Sequence, residues 1–196
     1  MKAKNLFLTA LFVATGILCV NSAKAADVES KTGTIKLNLK LYPIHSIVIN
    51  PGNSTDGVLL EYKNRNDYLS STENNTIQVA NQLTVFSTSG YIINVKADES
   101  GFNALPDGVI APGLNTISLQ AKKTDGSYDG SSIKLLKTDL PLFESDDATG
   151  GNGTNIDITY AGATQNAYFQ AQHFSSTDPS AISTFTTTLT YTLVAK

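Results

Sequence analysis

Thr184-Phe185-Thr186-Thr187-Thr188-Leu189-Thr190-Tyr191-Thr192-Leu193 sets Phe185, Thr187, Leu189, Tyr191 and Leu193 on one side of an extended chain and five threonines on the other. A period of two marks a strand with one buried face. Threonine suits the wet face, because its β-branching fits the pleat while its hydroxyl meets water. Working outward, the same signal recurs. Thr34 to Leu41 alternates without a fault, and Ile44 to Ile49 is a β-branched run closed by the turn signal Asn50-Pro51-Gly52-Asn53. Val58 to Tyr62, Thr76 to Phe86, Thr116 to Ala121, Ser132 to Leu136, Asn155 to Tyr160 and Ala167 to Gln172 read as further strands. Tyr91 to Val95, after Ser89-Gly90, reads as the return arm of a hairpin, and Asn64 to Ser71 as a short helical turn. Many short strands separated by Gly, Asn, Asp and Ser predict an all-β sandwich or small barrel with one domain and no internal repeat.

The opening residues 1–25 carry a different signal. Lys2 and Lys4 precede an apolar run from Leu6 to Val20, and Ala23-Lys24-Ala25 supplies a small-x-small cleavage pattern. This predicts a secretory signal peptide, with Ala26 as the first residue after cleavage. The run is too short for a membrane anchor. Cys19 lies in it, but Leu18 stands where lipidation would want a small residue. Removing 25 of 196 residues leaves 171, with 11 basic against 17 acidic side chains. A net charge of −6 argues against nucleic acid and anionic membrane as partners. The only cysteine leaves with the leader, so thiol catalysis, Cys-bound zinc and disulfides are excluded from the remainder.

Little points to chemistry. His45 and His173 have no second histidine or carboxylate at ligand spacing, and no nucleophile elbow or phosphate loop occurs. The chain is therefore expected to be neither an enzyme nor a cofactor or metal protein; a hydrolase built from scattered Asp, Glu and Ser finds no constellation. The acidic loop 144–153 could enclose calcium but lacks the alternating Asp-x-Asp order, and a solvated loop is the simpler reading. Asn53-Ser54-Thr55, Asn74-Asn75-Thr76 and Asn152-Gly153-Thr154 match glycosylation sequons by chance in so Asn-rich a chain. The eight tyrosines mark no sugar-stacking platform. A transmembrane barrel needs strands of about ten residues and aromatic girdles; most strands here are shorter and there is no Trp.

The informative segment is Gly33-Thr34-Ile35-Lys36-Leu37-Asn38-Leu39-Lys40-Leu41, directly before Pro43 and the next strand. With the alternating Phe185 to Leu193, it resembles the donor segment of chaperone–usher fimbrial subunits, in their disulfide-free, capsule-like form. The resemblance implies an immunoglobulin-like antiparallel sandwich over residues 42–196 that lacks its final strand, with residues 26–41 as an N-terminal donor extension. Gly33, Ile35, Leu37, Leu39 and Leu41 would be the donor knobs, and Phe185, Leu189, Tyr191 and Leu193 the edge of the acceptor groove. It further implies copies of the chain, a periplasmic chaperone and an outer-membrane usher as partners, and a cell-surface fimbria as destination. Other readings of the residues stand beside it. Gly33 to Leu41 could be the first strand of a complete sandwich or a disordered leader, and the protein a monomeric periplasmic, surface or secreted module binding carbohydrate or protein.

Overall fold

A computed structural model describes residues 32–50, 57–69, 75–163, 167–168 and 170–196. The predicted leader, Cys19, and the sequons at Asn53 and Asn74 lie outside the described residues. The chain divides between Lys40 and Leu41, and every described strand belongs to the second unit.

Ten strands are described: β1 (His45–Ile49), β2 (Thr76–Ser87), β3 (Tyr91–Ala97), β4 (Asn103–Leu105), β5 (Ser118–Lys123), β6 (Ile133–Lys134), β7 (Leu140–Ser145), β8 (Thr154–Ala161), β9 (Thr184–Thr186) and β10 (Leu189–Ala195). One short helix, α1 (Arg65–Leu69), lies within the predicted helical turn. One sheet runs β1-β2-β8-β5-β6, a second β10-β3-β7, and β4 and β9 form a ribbon. Every pairing is antiparallel. The protein is an all-β sandwich. Among the described residues no helix is long and apolar enough to cross a membrane.

Alternation explains most of the core, and a register shift in β7 buries the adjacent Leu142 and Phe143 together. Leu83, Val85, Leu119, Ala121, Ile156 and Ile158 project from the five-stranded sheet, and Tyr91, Ile93, Val95, Ala97, Leu142 and Phe143 from the other. All are buried and form one apolar cluster, which excludes water without a disulfide. β2 breaks its alternation at a bulge between Val79 and Leu83. There Asn81 takes a positive φ of 52°, which Asn tolerates better than most residues. The buried Asp157 carboxylate fastens the bulge, accepting from Asn81 N–H (2.8 Å), Gln78 Nε2 (2.9 Å) and Thr124 Oγ1 (2.5 Å). Burial works against its charge, but these donors hold its pKa below the ordinary carboxylate value.

Several expectations are corrected. β2 and β3 do not form a hairpin: after the Thr88–Gly90 corner the chain crosses to the other sheet. The alternation from Thr184 to Leu193 holds in burial, but the pairing partner changes along it, from β4 to β3. Val58 to Tyr62 belongs to no strand. Ala171–His173 is a 3-10 turn where a strand was expected. Thr34 to Leu41 belongs to no strand; residues 32–44 show neither turn nor bend.

Candidate functional site: the open seam of the sandwich

A two-sheet sandwich has two seams, and among the described residues backbone hydrogen bonds close only one of them. On the closed side, residues 128–136 pass between β5 and β7. Gly130 donates to Ala121 O at 2.7 Å, Gln120 Nε2 donates to Gly130 O at 2.9 Å, and Leu135 is buried. The Tyr128 ring meets Phe143 edge-on at 5.1 Å. A Cβ on Gly130 would lie 2.8 Å from Ala121 O and 3.1 Å from Leu142 O, so only glycine passes here. The neighbouring edge β7 also carries Pro141, which has no N–H to offer.

The opposite seam lies between β1 and β10, the other edges of the two sheets. Their Cα atoms come within 8 Å of each other, yet no hydrogen-bonded ladder joins them. Parity shows what these edges offer. Thr188 O accepts from Asp98 N–H (2.9 Å) and Lys196 N–H donates to Gly90 O (2.9 Å), so even-numbered residues of β10 face β3. Successive residues of a strand aim their backbone groups to opposite sides. Leu189, Tyr191 and Leu193 therefore present N–H and C=O at the open edge while their side chains face inward. On β1, Thr88 N–H donates to Ile44 O and Asn50 N–H to Gln82 O, so Ile47 is placed likewise. Ile47, Val79, Leu189, Tyr191 and Leu193 all pack on the core but remain half-buried.

The floor of this seam has one polar feature. Tyr160 hydroxyl donates to Gln82 Oε1 at 2.8 Å, which leaves it to accept from Tyr191 hydroxyl at 2.7 Å. Burial raises the pKa of both phenols, and for Tyr191 the adjacent Tyr160 raises it further. The relay ties β10 to the opposite sheet.

Of the predicted groove residues, the fold brings Leu189, Tyr191 and Leu193 together on β10. Phe185 lies on β9, opposite Ala104, and packs against Phe102 and His173 instead. Of the predicted donor knobs, Ile35, Leu37, Leu39 and Leu41 are 96, 91, 80 and 83 % exposed. A Cβ on Gly33 would meet nothing within 4 Å.

The histidines, the acidic loop and the tyrosine cluster have structural partners. Ser87 Oγ donates to Ser89 O (2.7 Å), so it accepts from His45 Nδ1–H (2.9 Å), the reverse of a base activating a nucleophile. His173 Nδ1 donates to Ile110 O. In the acidic loop, Glu144 and Asp146 both pair with Lys196. Among the described residues no three His, Cys, Asp or Glu side chains are placed to hold a metal. Tyr62, Tyr68 and Tyr168, distant in sequence, do cluster, but Tyr62 and Tyr168 meet edge-on at 4.9 Å and their hydroxyls donate to Ala163 O and Thr116 O. No family model matches the chain, and no curated protein matches it.

Proposed function

We propose that this protein is the structural subunit of a bacterial surface filament, exported by its leader and assembled head-to-tail by strand addition. Residues 33–41 of one copy add to the open edge of β10 in the next. The reading is non-catalytic, with a periplasmic chaperone covering the edge before an outer-membrane usher delivers the subunit.

One observation carries it: a nine-residue alternating segment with exposed apolar side chains coexists with a sheet edge whose inward residues are half-covered. Each is a liability alone, because exposed apolar side chains and unpaired backbone groups both invite association. Together they are complementary. An added strand meets the free N–H and C=O of Leu189, Tyr191 and Leu193, while alternate side chains enter the seam beside Ile47 and Val79. Burying Ile35, Leu37, Leu39 and Leu41 contributes on the order of 6–12 kcal/mol before ordering costs. A strand bonded to both β10 and β1 needs about 9.5 Å between them, two ladder spacings, so seating it moves β1 outward. With one donor segment and one acceptor seam, each subunit accepts one donor and gives one. Donor and acceptor surfaces differ, so the contact repeats without closing and yields a filament.

The test compares the chain from Ala26 with one that starts at Tyr42, by electron microscopy and light scattering. The longer chain should form filaments and the shorter should not, while added longer chain should cap the shorter one. Filaments from the shorter chain alone, or a longer chain that stays a stable monomer at all concentrations, would overturn the proposal.

A further inference from the structure

A donor segment tethered three residues from its own acceptor seam faces a competitor: itself. A short tether gives an effective concentration in the millimolar range, far above that of a second molecule. A chain able to fold back would seal its own edge and never polymerise. We propose that Pro43, together with the pinning of Ile44, is a directional lock that denies residues 33–41 access to their own edge and reserves that edge for a second copy. The inference rests on the filament reading above.

The geometry is local. To lie beside β1 in the seam of its own molecule, the segment would have to reverse within residues 42–44, a hairpin into β1. Ile44 cannot take part in that turn. Its N–H donates to Thr88 Oγ1 at 3.0 Å and its C=O accepts from Thr88 N–H at 3.0 Å, which fixes it as an extended continuation of β1. The reversal is then left to Tyr42 and Pro43 as the two central turn residues. Proline in the second central position forces its predecessor out of the helical region that a type I turn requires. The tight hairpin turns need positive φ at one or both central positions, which proline's ring forbids at 43 and which tyrosine resists at 42, and the type VI turn that accepts a second-position proline needs a cis bond where Tyr42–Pro43 is trans. The structure agrees: residues 41–44 contain no turn or bend, and Tyr42 and Ile44 are 74 and 59 % exposed.

The test removes the lock while keeping every knob. The double variant Tyr42→Asn, Pro43→Gly places the favoured two-residue hairpin sequence between the donor segment and β1. At a fixed concentration where the native chain is mostly polymer, its monomer fraction by size exclusion should rise at least tenfold, with a cooperative melt. Polymerisation at the native concentration dependence overturns the lock. If the double variant lacks a cooperative melt, Pro43→Ala is read instead: a several-fold rise in monomer supports the lock and no change overturns it. A parallel Leu37→Asp variant separates the two ideas. If it polymerises normally, the filament reading itself fails; if it stays monomeric while the unlocked variants polymerise as the native chain does, only the lock fails.

Discussion

Leu37→Ala tests the division between what the segment does for its own fold and for its neighbour. In the isolated chain Leu37 is 91 % exposed, so trimming it removes no packing. Away from packed sites a surface change alters stability by no more than about 0.5 kcal/mol. In the proposed filament the same side chain would be buried, and losing it should cost about 2 kcal/mol. At 1.4 kcal/mol per factor of ten, association weakens about 30-fold. Lys36→Ala, one residue away, removes a side chain on the wet face and should change association by less than about threefold. The assay is the critical concentration for light scattering, with the melting temperature of each monomer as control. Equal effects at 36 and 37 would refute the period-two seating. A fall of about 4–8 °C in the Leu37→Ala monomer, as expected for 2 kcal/mol in a domain this size, would refute it differently. Leu37 would then already be packed inside its own sandwich.

Three further outcomes probe the framework. Gly130→Ala should destabilise the closed seam by about 1–3 kcal/mol, seen as a lower melting temperature, because its Cβ would press on two backbone carbonyls. Asp157→Asn should cost about 1–3 kcal/mol at neutral pH by unfastening the bulge. The native pKa is depressed, so this contribution is present above the ordinary carboxylate value of about 3.9 and is lost as pH falls through the lower folded value. Thermal melts of both proteins should converge in that acid window. The raised phenol pKa values of Tyr160 and Tyr191 act in the opposite range. Above about pH 10 the unfolded chain ionises while the folded chain does not, so native stability should fall, and Tyr191→Phe should flatten that fall.

Much of the sheet was legible because alternation reports which way a side chain faces. It found β1, β2, β3, β5, β6, β8 and β10, and even Val58 to Tyr62, outside any strand, keeps an alternating burial. Facing is not pairing, however. The threonine-rich run keeps one rhythm through Phe185 and Leu189 although its partner changes from β4 to β3. The Ser89-Gly90 signal marks a turn but cannot tell a hairpin from a crossing between sheets. β4 is three residues long and β7 carries Pro141, so neither offered a period to find. The knobs from Ile35 to Leu41 were readable for the same reason as the strands. The openness of the β10 edge was not, because it depends on Gly130 and Leu135 closing the other seam and on the parity of backbone groups. The Tyr191–Tyr160–Gln82 relay likewise joins residues up to 109 positions apart, whose contact only the folded chain creates.

Amide hydrogen exchange on β10 is the most direct measurement of strand addition. In the unassembled chain the amides of Thr190, Thr192 and Val194, bonded to β3, should exchange slowly, and those of Tyr191 and Leu193 quickly. In the filament all five should be slow. Odd-numbered amides that are already protected in the monomer, or that stay fast in the filament, would contradict the account.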